Sequence, residues 1–282
     1  MHRLLPHRAA KRPALPSRRS PAATGRRGTM PRHAGLSARW RGVRDPIVFY
    51  GLLALFGASS LLWSLTAAAL YRVLPRRTGE RLGQWMIWAG FRGFVGAMRL
   101  GGALECDFAA LDALAEAPAL VIAPNHPSLL DAVLVLSRVP HAVGAAKAEI
   151  WDNAFLGGGA RLAGFIRNDS PAKLVKQAVR QVRAGRHFLI FPEGTRSSAR
   201  PVGDFKGGFA LIARRAGAPV QPVFIETASR FLAKGWPLFK RPKLPLVYRI
   251  RLGQRVSIDG DVHEAVDRLH LYYRRALDAG DP

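Results

Sequence analysis

From Ile47 to Leu70 the chain reads IVFYGLLALFGASSLLWSLTAAAL, an apolar run without a single charged residue. At ~1.5 Å of rise per residue, a helix over this run is long enough to cross a hydrocarbon layer of ~30 Å. It reads as a membrane helix, because it is too long for the apolar region of a cleaved signal peptide and lies too far from the N-terminus. Arg39, Arg41 and Arg44 precede it, and Arg72, Arg76, Arg77 and Arg81 follow it. Positive charge on both sides gives no clear orientation, and it equally suits a helix that enters one leaflet and returns. A second apolar stretch, Leu82 to Leu100, carries Trp85, Trp88, Phe91 and Phe94. It reads as interfacial, its arginines snorkelling toward head groups, with a buried helix as the alternative.

Upstream, Met1 to Arg44 contains no acidic residue and includes the pairs Arg18-Arg19 and Arg26-Arg27. Such a stretch cannot bury a core. It is expected to be a basic disordered tail or a non-native extension, since Met30 offers an alternative start. It shares its lack of acids with organelle transit peptides but has no sustained apolar face. Three segments are expected: 1–44 as this tail, 45–100 as a membrane-anchoring helical segment, and 101–282 as the domain that carries the chemistry.

At 282 residues, 49% hydrophobic and 22% charged, the chain can build one sizeable α/β domain and is not disordered throughout. A net charge of +24 draws it toward nucleic acid, anionic head groups or phosphorylated substrates. Nucleic acid is not expected, because the excess includes the tail and no reader motif with aromatic platforms is present. Cys106 is the single cysteine, so no intramolecular disulfide or cysteine-based metal cluster can form. It reads as a small hydrophobe without a chemical role.

After Cys106 short apolar runs alternate with amphipathic ones. ALVIAP (Ala119 to Pro124), HFLIFP (His187 to Pro192) and PVQPVFIE ending at Glu226 predict buried strands. Lys173 to Ala184 and Phe209 to Ala216 predict helices closed by Gly185 and Gly217. Leu246 to Val256 alternates like a half-exposed strand, and an amphipathic helix follows from about Val262 to Ala276. The expectation is an α/β fold: a mixed, mostly parallel sheet flanked by helices, preceded by an N-terminal membrane-embedded helical segment.

NHPSLLD, Asn125 to Asp131, follows the first predicted strand, so His126 is delivered at a strand end, where α/β folds commonly hold their sites. A helix opening near Ser128 lets the chain fold back until the Asp131 carboxylate reaches one imidazole nitrogen. That bond would fix the tautomer and stabilise the imidazolium, as in a serine-hydrolase triad. The other nitrogen can then accept a proton from a substrate hydroxyl, so no enzyme serine is required. Ser128 itself reads as a turn or N-cap residue. FPEGTRS, Phe191 to Ser197, likewise leaves a strand for a loop. Gly194 lets backbone amides approach a ligand, and Arg196 can grip a phosphate through two parallel charge-assisted bonds. On Glu193-Gly194-Thr195-Arg196 alone, a solvated arginine beside an exposed turn stands equally. Two loops leaving strands of one sheet add weight to an anion site.

Together, NHxxxxD and a strand ending in FPEGTRS resemble the glycerolipid acyltransferase superfamily of the lysophosphatidate acyltransferase type. GFIRND (Gly164 to Asp169), APVQPV (Ala218 to Val223), AKAEI (Ala146 to Ile150) and FKGG (Phe205 to Gly208) fall where that family has further blocks. The likeness runs from about Leu100 to Val256. It implies His126 as general base and Asp131 as its orienting partner. It also implies that Glu193, Gly194, Thr195 and Arg196 bind the acceptor's phosphate or head group, helped by Arg167 and Lys147. The donor would be a thioester of CoA or acyl carrier protein, a co-substrate and not a cofactor. A thiolate leaves readily, so no metal is demanded. The implied reaction acylates a lysophospholipid, 1-acylglycerol-3-phosphate giving phosphatidate, among membrane lipids. The implied location is a bacterial inner membrane, with the catalytic domain on its cytoplasmic side.

Departures from the family pattern bear on substrate. Pro127 stands where many members have a polar residue, Asn153-Ala154 replaces a proline-bearing step, and IRND places its arginine one position early. NHPSLLD with GFIRND is similar to a bacterial branch associated with aryl polyenes, so a specialised lipid acceptor is one alternative. A transacylase would keep the same motifs. A non-enzymatic membrane scaffold of the same fold is another alternative, against which His126 and Asp131 are both intact.

Overall fold

The computed structural model describes residues 32–197 and 201–278. The chain divides into two units, Met1–Trp40 and Arg41–Pro282. Helix α1 (Arg32–Val73) begins within the stretch expected to be a basic tail, and the remainder of that tail, residues 1–31, lies outside the described residues. Helix α2 (Arg76–Leu100) follows directly. The second unit then alternates β1 (Leu104–Cys106), α3 (Ala109–Asp112), β2 (Val121–Pro124), α4 (Leu130–Leu136), β3 (Val143–Ala146), α5 (Ala148–Trp151), α6 (Gly157–Leu162) and β4 (Ile166–Arg167). It continues through α7 (Pro171–Arg183), β5 (Phe188–Leu189), α8 (Gly208–Ala216), β6 (Val220–Glu226), β7 (Leu246–Leu252) and α9 (Val262–Asp278).

The strands form one sheet in the order β1-β7-β6-β2-β5-β3-β4. Every pairing is parallel except β6 with β7. This is the expected α/β fold with a mixed, mostly parallel sheet. Strand β2 lies centrally and is buried on both faces, which is why its sequence is continuously apolar. Successive side chains point to opposite faces, so Ile122 joins a layer with Leu111, Leu134 and Tyr248, while Val121 and Ala123 join one with Phe188, Phe209 and Tyr273. Strand β7 alternates buried and exposed because only one of its faces is covered. Amphipathic α7 supplies Leu174, Val175, Ala178 and Val182 to the second layer, and Pro171 opens it where a missing N–H costs nothing.

Helix α2 is half of each expected alternative. One face is buried against the domain, where the Gln84 side-chain amide donates to the Ala163 carbonyl at 3.0 Å. Its contact is close: a Cβ at Gly83 would lie 2.5 Å from the Ala163 nitrogen. The opposite face exposes Arg77, Arg81 and Trp85. Among the described residues α1 is the one helix long and apolar enough to cross a membrane. Ile47, Leu55, Leu62 and Leu65 are exposed along it, yet Phe49 and Ala67 are buried. Ser64 Oγ accepts the Gly158 N–H at 2.9 Å, so one face of α1 touches the domain.

Candidate active site

Strands β6, β2, β5, β3 and β4 run parallel, so the chain segments that follow them emerge at one edge of the sheet. Open α/β sheets bind ligands outside this carboxyl edge. Asn125, the first residue beyond β2, donates from Nδ2 to the Ile225 carbonyl at 2.9 Å and accepts the Ile225 N–H on Oδ1 at 2.7 Å. Its side chain thus extends the ladder by one rung and fixes the exit of the His loop.

His126 follows, with Nδ1 at 2.9 Å from Asp131 Oδ2. The same carboxylate oxygen accepts the Ser128 N–H at 2.7 Å, so a single turn holds base and partner together. Ser128 Oγ accepts the Leu130 N–H at 3.1 Å and donates to the Phe231 carbonyl at 2.9 Å. It stabilises the turn ahead of α4 and is committed on both sides. Asp131 is fully buried, and burial pushes its carboxyl up to about 6 against the opposing pull of the His126 hydrogen bond. The Phe191 ring stacks on the imidazole at 3.7 Å between centroids with a 13° interplanar angle. The stacked ring and the carboxylate together hold the imidazole plane in place. His126 Nε2 has no hydrogen bond among the described residues and stays available to substrate.

Glu193 faces inward. Its Oε1 accepts the His126 N–H at 3.0 Å and the Ser197 hydroxyl at 2.7 Å, and its Oε2 accepts the Gly203 N–H at 2.8 Å. Ser197 N–H returns to the His126 carbonyl at 2.8 Å. These bonds tie the two motif loops into one body, with the Glu193 carboxylate spent on protein donors. Gly194 adopts φ +66°, a left-handed conformation that favours glycine. A Cβ there would also meet Lys206 Nζ at 3.1 Å, which places the lysine over the loop. Arg196 directs Nη1 to the carbonyls of Leu232 and Ala233 at 3.0 and 2.9 Å. The Nε and Nη2 edge keeps its donors, as do the Thr195 and Arg196 amides, with no acceptor among the described residues.

Lys147 and Arg167 stand at the ends of β3 and β4, two and three strands from β2, or about 10 and 14 Å at ~4.8 Å per strand. Lys147 is exposed. Arg167 pairs with Asp152 at 3.2 Å and Asp169 at 3.1 Å, so its charge is already met. The geometry therefore gathers His126, Asp131, Glu193, Gly194, Thr195 and Arg196, and leaves Lys147 and Arg167 at a distance. Phe191, Asn125 and Lys206 join the site although sequence reasoning gave them no role. Each lies inside a quoted motif, but only the fold reveals its contacts. Among the described residues no group of three or more His, Cys, Asp or Glu could hold a metal ion. The Cys106 thiol is pushed up to about 12 by burial and stays protonated.

A histidine backed by a buried carboxylate, at the carboxyl edge of this sheet and next to a cationic loop, is the arrangement of a general base beside an anion site. Residues 106–226 match the family model described as Acyltransferase, and the chain is read as an acyltransferase on that match. It is similar to the 1-acyl-sn-glycerol-3-phosphate acyltransferase of Pseudomonas aeruginosa, 24% identical over 79% of this chain and 85% of that protein. It is also similar to the lyso-ornithine lipid O-acyltransferase of the same organism, 35% identical over 55% of this chain but only 56% of that enzyme. Its fold resembles the crystal structure of the 1-acyl-sn-glycerophosphate acyltransferase of Thermotoga maritima. The TM-score is 0.63 at 17% identity, covering 86% of this chain and 99% of that one. The aryl polyene association finds no support in these relatives.

Proposed function

We propose that this enzyme transfers a fatty acyl group from a thioester of CoA or acyl carrier protein to the free hydroxyl of 1-acylglycerol-3-phosphate, giving phosphatidate. The observation that carries the reading is the imidazole of His126, bound through Nδ1 to the buried Asp131 with Nε2 uncommitted, beside a loop bearing Arg196 and Lys206. Nε2 takes the proton of the acceptor hydroxyl as its oxygen attacks the thioester carbonyl. The tetrahedral oxyanion collapses, the carbon–sulfur bond breaks, and the imidazolium returns its proton to the departing thiolate. Asp131 keeps the imidazole oriented and stabilises its charged form. The Arg196 edge, Lys206 and the Thr195 and Arg196 amides supply donors for the acceptor phosphate, with Gly194 allowing close approach. Residues 45–100 anchor the 101–282 domain to the membrane, where acceptor and product reside. The expected site is the cytoplasmic face of a bacterial inner membrane.

A second reading is favoured by the 35% identity to a lyso-ornithine lipid enzyme, whose name specifies an amino-acid head group. An ornithine carboxylate would meet the same cations with less charge than a phosphate monoester. Initial rates with lysophosphatidate and lyso-ornithine lipid, each against acyl-CoA and acyl carrier protein donors, separate the two. The proposal expects kcat/KM to favour lysophosphatidate by at least about tenfold, and the reverse preference would replace it with the second reading.

A further inference from the structure

Between β6 and β7 the chain runs from Thr227 to Pro245 as TASRFLAKGWPLFKRPKLP, with five Lys or Arg residues and no acid. This segment leaves the sheet at the same carboxyl edge as His126. Its tip is a compact turn: Trp236 Nε1 donates to the Lys240 carbonyl at 3.0 Å, and Lys240 Nζ lies 5.1 Å from the Trp236 ring centroid. Beyond that turn Leu238 and Phe239 project, 51% and 71% exposed. Lys234, Lys240, Arg241 and Lys243 flank them in sequence, all exposed. An exposed aromatic and an exposed aliphatic side chain flanked in sequence by cations are not explained by the sheet, which buries neither.

The tip is continuous with the exposed face of α1. Tyr50 donates its hydroxyl to the Phe239 carbonyl at 3.3 Å, and Phe49 meets Phe231 edge-on at 5.8 Å. Ile47 and Tyr50 are themselves exposed beside it. One surface therefore joins the apolar α1 to a basic, aromatic-tipped segment, the composition that favours insertion into an anionic interface. At its base the same segment holds the catalytic loops, because the Phe231, Leu232 and Ala233 carbonyls accept from Ser128, Leu129 and Arg196.

We propose that the Thr227–Pro245 segment is a second membrane contact, in which Leu238 and Phe239 enter an anionic phospholipid surface while Lys240, Arg241 and Lys243 engage its head groups. The inference rests on the reading of this chain as a membrane-associated lysolipid acyltransferase. Contact at the tip sets Arg196 and His126 at head-group level, where an amphiphilic acceptor presents its hydroxyl.

Two readouts test it on the full chain in vesicles. In a Cys106→Ser background, a polarity-sensitive dye on Phe239→Cys is compared with the same dye on Leu271→Cys, an exposed residue of α9. With vesicles containing phosphatidylglycerol, acyl-chain quenchers should quench the dye at position 239 and leave that at 271 unchanged. An unquenched dye at 239 overturns the proposal whatever the enzyme's substrate, since this readout needs no activity. Separately, Lys240→Gln, Arg241→Gln and Lys243→Gln combined should lower the rate on phosphatidylglycerol vesicles by at least about tenfold, for charges worth most beside an anionic surface. The rate in nonionic detergent micelles should be unchanged. An equal loss in micelles would make the segment a structural support and overturn the membrane role.

Discussion

The backbone N–H of His126 donates to Glu193 Oε1 at 3.0 Å, joining the loop that carries the base to the loop that carries the cations. The second motif's acid thus acts on the first motif's histidine through the main chain. Glu193→Ala leaves the His126 and Gly203 amides and the Ser197 hydroxyl without their acceptor. Each such orphan costs about 1–3 kcal/mol. We expect a lower melting temperature in detergent and a fall in kcat of about tenfold or more. A change confined to acceptor KM, with unaltered melting, would instead mean that Glu193 binds substrate directly.

Asp131→Asn separates chemistry from stability. Burial raises the Asp131 carboxyl to about 6, so the folded state holds its proton more tightly than the unfolded chain does. Its favourable contribution is complete below the ordinary value of 3.8 and is lost as pH rises through about 6. The ionised form therefore costs the fold up to about 3 kcal/mol at neutral pH. Asp131→Asn should melt no lower than wild type at pH 8 while losing about 10²–10⁴ in kcat. In the wild type the rate should fall as pH drops through about 6, because a protonated Asp131 no longer supports an imidazolium.

Arg196→Ala should raise KM for lysophosphatidate by about tenfold with a smaller change in kcat, since a charge-assisted pair contributes ~1.5–3 kcal/mol. Lys206→Ala should act in the same direction. Arg167→Ala should leave KM within about twofold, because Asp152 and Asp169 already neutralise it. Steady-state kinetics with varied acceptor distinguishes these outcomes, and a dominant effect at Arg167 would move the acceptor toward β4.

The sheet was legible where strands are apolar runs flanked by turns: β2, β5, β6 and β7 all fall inside segments read from sequence. Strands β1, β3 and β4 were not, since LEC, VGAA and IR sit in no run of bulky apolar residues such as marks β2 and β5. At the site, the chain order NHPSLLD carried enough local geometry to anticipate a His–Asp contact within one turn. The inward Glu193 was not readable, because its partners at His126 and Gly203 are set by strand adjacency and loop closure. Nor was the Arg196 anchor at Leu232 and Ala233, which depends on where the β6–β7 segment passes.

Gly158→Ala tests the seat of α1. A Cβ at this position would lie 1.9 Å from the Ser64 carbonyl oxygen, and backbone cannot yield as a flexible side chain does. Overpacking of this kind costs about 1–3 kcal/mol. The variant should melt several degrees lower in detergent micelles, whereas unchanged melting would mean that α1 does not rest on α6.

The most direct test of the account is thiol release from acyl-CoA by the detergent-solubilised full chain, with and without lysophosphatidate, run beside His126→Ala. The account predicts release that requires the acceptor and falls by ~10²–10⁴ in the variant, which still folds. Release at the wild-type rate from His126→Ala would contradict it.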